Sequence, residues 1–341
     1  MPFHDWPAAD RRLWDDLMRG GGPLDDRGPL AHLRETSRQV LINHYGRWLG
    51  WIAAAEPEAL SIAPVDRAAM ERLRRWLDDL AHTRPMSRLA FVDSVLRPLI
   101  KTDPERDWTA HRSLKAALKR AAGSGDQSRK QGRILSSTVL FDHAVRYATM
   151  DATAATTKLQ AFKRRRDGTM VALLALVPIR CRAVVHLELG SSIQVREDRI
   201  VISLPADLTK NRLAWSCNVP EILVPLLRLY IEEVRPWFLQ RGTARHDVLW
   251  VGDRGAPYVE NYFGMKMSNV TEVLTGVRVS PHLFRDAAAT TLARSSPDAA
   301  RLIRPVLGHT SGSTAERHYI HASSIEVGRN YADVISRLKR K

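Results

Sequence analysis

Apolar positions between Leu30 and Ala122 recur at helical spacing. Val40, Leu41, Tyr45, Trp48, Leu49 and Ile52 share one face of a helix. A second helix opens at Asp66 and turns Met70, Leu73, Trp76, Leu77 and Leu80 inward. Residues 87–100 and 109–121 supply two more, so the pattern predicts a four-helix module over 30–122 with arginines on its outer faces. Residues 1–29 contain Gly20-Gly21-Gly22-Pro23 and Gly28-Pro29 and read as a flexible N-terminal arm. Residues 123–136 are Gly/Ser-rich and polar and read as a linker; Arg129 and Lys130 suit either a tether that follows a phosphate backbone or a plain solvated one.

Beyond Ser137 the period changes. Two helices are expected over about 137–163 and 167–176, then strands at 192–196, 199–204 and 213–219, with Glu197-Asp198 as the first turn. A helix over 222–239 and a strand at 248–251 follow, then a turn at Asp253-Arg254-Gly255-Ala256-Pro257 and mostly helix. The fold class is therefore mostly α with a small antiparallel sheet, the second domain (137–341) being α+β. Ile325, Val327, Tyr331, Val334, Ile335 and Leu338 form an apolar stripe that predicts a tail helix.

Charge changes the picture. The 341 residues carry a net charge of +15, which favours a polyanionic partner, nucleic acid being the commonest. The two cysteines, Cys181 and Cys217, form no metal-ligand cluster and fit a reducing cytoplasm. No basic stretch followed by an apolar one marks a signal peptide at the N-terminus, and the longest apolar run, 170–179, is too short to span a bilayer.

Candidate chemistry lies toward the C-terminus. In Ser280-Pro281-His282-Leu283-Phe284-Arg285 a serine N-cap and a proline at the first helical position start a helix. His282 and Arg285 are three apart, on one face near the positive end of the helix dipole, where an anion is the natural ligand. Leu307-Gly308-His309 precedes Ser313-Thr314-Ala315-Glu316, whose capping-box spacing places Tyr319 in the second turn of another helix.

Taken in order, these segments resemble the C-terminal signature of the tyrosine recombinase (phage integrase) family: His-x-x-Arg, Leu-Gly-His, then a tyrosine. Upstream, Val177-Pro178-Ile179-Arg180-Cys181-Arg182 resembles the family's first arginine motif, with Leu187 seven residues after Arg180. Arg182 competes for the same role. Lys210 in Thr209-Lys210-Asn211 matches a family lysine between two strands. Two departures stand out: Ala183 replaces the usual acid three residues after the arginine, and His309 and Tyr319 are ten apart where nine is commoner.

The resemblance implies a helical core-binding domain and a catalytic domain that clamp DNA, and a site-specific recombinase acting in integration, excision or transposition of a mobile element on the bacterial nucleoid. It implies Arg180, Lys210, His282, Arg285 and His309 around the phosphate and Tyr319 as nucleophile, with no cofactor and no metal. It also implies a homodimer on paired half-sites and a homotetramer in synapsis. The alternative is a DNA-binding protein of the same fold that structures DNA without catalysis.

Overall fold

The computed structural model of the protein describes residues 1–22, 24–123, 132–209 and 212–303. The chain divides into two compact units, Met1–Gln127 and Ser128–Lys341, the division falling inside the polar stretch 123–136.

The first unit is helical: α1 (Ala8–Met18), α2 (Glu35–Ala55), α3 (Pro64–Arg67), α4 (Met70–Asp79), α5 (Pro85–Thr102) and α6 (Thr109–Ala122). Its first residues are not a loose arm. Trp6, Leu13, Trp14 and Leu17 are buried in the same core as Tyr45, Trp48 and Trp76. Asp10 of α1 is fully buried. It accepts from the Tyr45 hydroxyl at 2.7 Å and from Arg67 Nη1 at 2.8 and 2.9 Å. The glycines at 20–22 end α1 rather than loosen what precedes them, because four apolar side chains outweigh a local turn signal. The helix expected to open at Asp66 is split instead at Ala68-Ala69. Arg67 at that corner spends its remaining donors on the carbonyls of Ala59, Leu60 and Ile62. A buried charge is tolerated when paired and fully bonded in this way.

The second unit is built on α7 (Ser137–Arg146) and α8 (Lys158–Leu176). Ser136 and Thr157 cap them, accepting from the amides of Val139 and Gln160. A π-helical turn, Tyr147–Asp151, follows α7. The break expected between residues 163 and 167 is absent. The basic run there lies within α8, because Arg166 is buried and paired. From Arg166 to Ala175 every residue of α8 is buried, so this part of the helix is a central rod with no solvent face. Gly168 is required where α7 crosses it: a Cβ would lie 2.6 Å from the Ala144 carbonyl oxygen.

After α9 (Cys181–Val185) come β1 (Ile193–Val195), β2 (Ile200–Leu204) and β3 (Trp215–Asn218), an antiparallel sheet in the order β1-β2-β3. Ile193 faces Ile202, and Leu204 faces Trp215. Alternation along β2 turns Ile200, Ile202 and Leu204 into the core. Residues 221–239 form one continuous helical stretch that includes α10 (Val224–Leu229), a π-helical turn (Tyr230–Val234) and α11 (Arg235–Leu239). The strand expected at 248–251 is not part of the sheet. Val248 bridges Glu188 and Val251 bridges Pro257, while Leu249, Trp250 and Val251 are buried. An apolar run of four fills the core equally well without a ladder. The described chain ends with α12 (Glu260–Thr275), closed by Gly276 in the left-handed conformation, then α13 (Pro281–Ser295) and α14 (Pro297–Arg301). The fold is mostly α with a small antiparallel sheet. No described helix is long and apolar enough to cross a membrane.

Candidate active site

Pro178 shapes the first half of the site. The residue before a proline is pushed out of the α region, and Val177 ends α8 at φ −125°, ψ 80°. Arg180, two residues after Pro178, stands extended at the N-cap position of α9. The second half comes from α13. Ser280 occupies its N-cap position and Pro281 its first turn, as the sequence predicts, but the Ser280 side chain makes no capping bond.

Arg285, one turn into α13, is buried, and its Nη1 donates to the Pro178 carbonyl at 2.6 Å. That bond ties α13 to the segment carrying Arg180. Burial pushes the Arg285 pKa down to about 10, the Arg180 charge pushes the same way, and Asp286 opposes it. Burial also lowers Arg180. Two guanidinium groups held together repel each other, and an anion placed between them removes the repulsion.

His282 sits at the exposed start of α13 while Arg285, three residues on, points inward. The expected shared face is therefore a rim and an interior. Arg182 diverges from Arg180: its Nε lies 4.0 Å from Glu260 Oε1, which is also 4.0 Å from His186 Nε2. Of the two competing arginines, Arg180 is the one whose charge lowers the Arg285 pKa. Ala183, where the family's acid is usual, is buried. Lys210, His309 and Tyr319 lie outside the described residues, as does the apolar stripe of the tail. Lys210 belongs to the connection between β2 and β3, where the Thr209 hydroxyl lies within hydrogen-bond distance of the carbonyls of Ala206 and Leu213.

Two features had no side-chain signal that sequence reasoning used. The Pro178 carbonyl holds Arg285, and a carbonyl is invisible in residue types. Arg166 donates to Asp167 and Asp253 and stacks over Phe238 at 4.5 Å, while Lys266 pairs with Asp167 and Lys163 with Asp253. This cluster joins α8 to α12 and to the turn after Val251. A charged pair, Arg166-Asp167, beside a glycine at the head of an apolar run was its one visible mark.

The model of the family described as "Phage integrase family" matches residues 147–325, more than half of the chain. Among solved structures, the chain is similar to the XerH site-specific recombinase bound to a palindromic difH substrate in a post-cleavage complex. The identity is 14%, with 95% of this chain and 94% of that one covered and a TM-score of 0.58. It is similar to a lambda integrase dimer bound to a COC′ core site at 12% identity, over 92% and 94% of the two chains, with a TM-score of 0.53. A lambda integrase tetramer bound to a Holliday junction matches at 12% identity over 91% and 76%, with a TM-score of 0.52. At these identities the likeness is one of fold. No curated protein matches the chain in sequence.

Proposed function

The chain belongs to the phage integrase family, and from that premise we propose how this tyrosine recombinase cleaves and rejoins DNA strands at a specific site. Arg180 and Arg285 grip the scissile phosphate as planar forks. Their contribution is largest where charge builds at the pentavalent phosphorus, and one such donor is typically worth about 3 kcal/mol. His309 donates to a non-bridging oxygen. Tyr319 attacks phosphorus; its phenol, with an ordinary pKa of about 10, passes its proton to His282 as the bond forms. Lys210 gives a proton to the departing 5′-oxygen. The product is a 3′-phosphotyrosine and a free 5′-hydroxyl. One phosphodiester has replaced another, so no nucleotide cofactor is needed, and the 5′-hydroxyl of a partner strand reverses the step.

The observation that carries this reading is a buried Arg285 bonded to the Pro178 carbonyl, on the segment that carries Arg180, whose charge acts on it. A purely structural helix start does not need two adjacent guanidinium groups. We further infer that the helical first unit, which includes α1 as well as residues 30–122, is a core-binding domain that contacts DNA. The working assembly is a homodimer on paired half-sites and a homotetramer in synapsis, acting on the bacterial nucleoid. Integration, excision or transposition of a mobile element is the process.

The test is covalent trapping on a nicked suicide duplex. The wild type is expected to form a protein–DNA adduct that protease mapping places on Tyr319, and Tyr319→Phe to bind DNA without forming it. An adduct on another residue would overturn the assignment of Tyr319, with Tyr331 the next candidate. DNA binding with no adduct from the wild type on any nicked cognate site would replace catalysis by a DNA-structuring role.

A further inference from the structure

Residues 1–127 carry 20 basic and 18 acidic side chains, close to balance. They are not mixed. α2, α5 and α6 together hold nine Lys and Arg and only two carboxylates, Glu35 and Asp93. α5 packs against both α2 and α6. The three helices therefore form a contiguous basic part of a unit whose remainder is acidic, and a duplex polyanion is the complementary partner.

Along α2, Val40, His44 and Arg47 follow one stripe at helical spacing. Val40 is 50% exposed and Arg47 is exposed. Phe91 of α5 supports both polar residues. The His44 ring meets it edge-on at 4.7 Å, and the Arg47 guanidinium lies 4.8 Å over its face.

Ser94 decides which nitrogen of His44 carries the hydrogen. A hydroxyl has one proton, and Ser94 gives it to the Ala90 carbonyl at 2.7 Å. Towards His44 Nδ1, at 2.9 Å, it is left to accept. Nδ1 therefore carries the hydrogen and Nε2 presents a lone pair, with no hydrogen-bond partner among the described residues. Burial lowers the His44 pKa, the Ala90 carbonyl opposes this, and Arg47 lowers it further. The net shift favours the neutral ring.

A lone pair set beside a guanidinium does not suit a phosphate oxygen, which itself offers only lone pairs. It suits a donor, and in duplex DNA the donors facing the major groove are the exocyclic amines of adenine and cytosine. We propose that His44 is a sequence-reading residue, accepting a hydrogen bond from one such amine through Nε2, while Arg47 on Phe91 holds a neighbouring phosphate. This rests on the recombinase reading above.

Binding-site selection from a randomised duplex library, with the full chain, tests it. The wild type is expected to enrich adenine or cytosine at one position about tenfold, the scale of a single mismatched pair. His44→Ala should lose that preference and keep the salt slope. Ser94→Ala, which frees the tautomer without touching the surface, should weaken the same preference at unchanged Tm. Arg47→Ala should lower affinity for all sequences alike and reduce the salt slope by about one. Identical base preferences in the wild type and His44→Ala would overturn the assignment while leaving the recombinase intact. A change of salt slope in His44→Ala would reassign it as a phosphate contact. No DNA binding by the wild type would overturn both readings.

Discussion

Arg285→Met separates a catalytic arginine from a structural one. The side chain is 7% exposed, and its pKa of about 10 lies well under the ordinary arginine range. That depression corresponds to roughly 3 kcal/mol of penalty on holding the charge there. Against it stands the hydrogen bond from Nη1 to the Pro178 carbonyl, and a bond from a charged donor is worth about 1.5–3 kcal/mol. Methionine keeps most of the volume, so the cavity contribution is small. The two larger effects nearly cancel, and the variant is expected to unfold in urea within about 1 kcal/mol of the wild type. Cleavage should behave differently. Loss of a transition-state donor typically costs about 10²–10³ in rate, read as adduct formation on the suicide duplex. Inorganic phosphate should raise the Tm of the wild type by selective binding to the native state and leave the variant unmoved. A fall in stability of more than about 3 kcal/mol, with cleavage lost only in proportion to unfolding, would refute this reasoning and make Arg285 a structural residue.

DNA affinity should fall steeply between about 50 and 200 mM salt, because the chain carries a net charge of +15; a flat dependence measured by fluorescence anisotropy would contradict phosphate-dominated binding. The depressed His44 pKa means that the unfolded chain binds the proton more readily than the folded one. Stability should therefore decline as pH falls below about 6.5, the unfolded value, and His44→Gln should flatten that decline in urea titrations at pH 5 and pH 8. Gly168→Ala would place a methyl 2.6 Å from the Ala144 carbonyl oxygen and 2.8 Å from the Ala148 Cβ. Since neither neighbour can swing away, α7 and α8 must separate at a cost of about 1–3 kcal/mol, and an unchanged Tm would show that they pack less closely than described.

The helices of both units and the small sheet were legible because each buries a periodic face: Leu41, Tyr45, Trp48 and Ile52 along α2, and Ile200, Ile202 and Leu204 along β2. The family was legible too, since its motifs are ordered side-chain types and need no coordinates. Periodicity failed where burial was not one-sided. The second half of α8 is apolar all round, so the basic run before it looked like a break, and the buried segment at 249–251 looked like a strand. It failed again at residues 1–29, where glycines near the end of α1 concealed the apolar side chains of α1 itself. The spacing of Arg180 and Arg182 allowed either to be the phosphate ligand, because a two-residue difference carries no direction until α9 has a defined start. Only the tertiary structure set the two apart: Pro178 ends α8, its carbonyl receives Arg285 from a helix 107 residues away, and the Arg180 charge acts on Arg285 while Arg182 lies near Glu260. Sequence supplied the charges, but their proximity follows from packing, which joins residues that no local pattern connects.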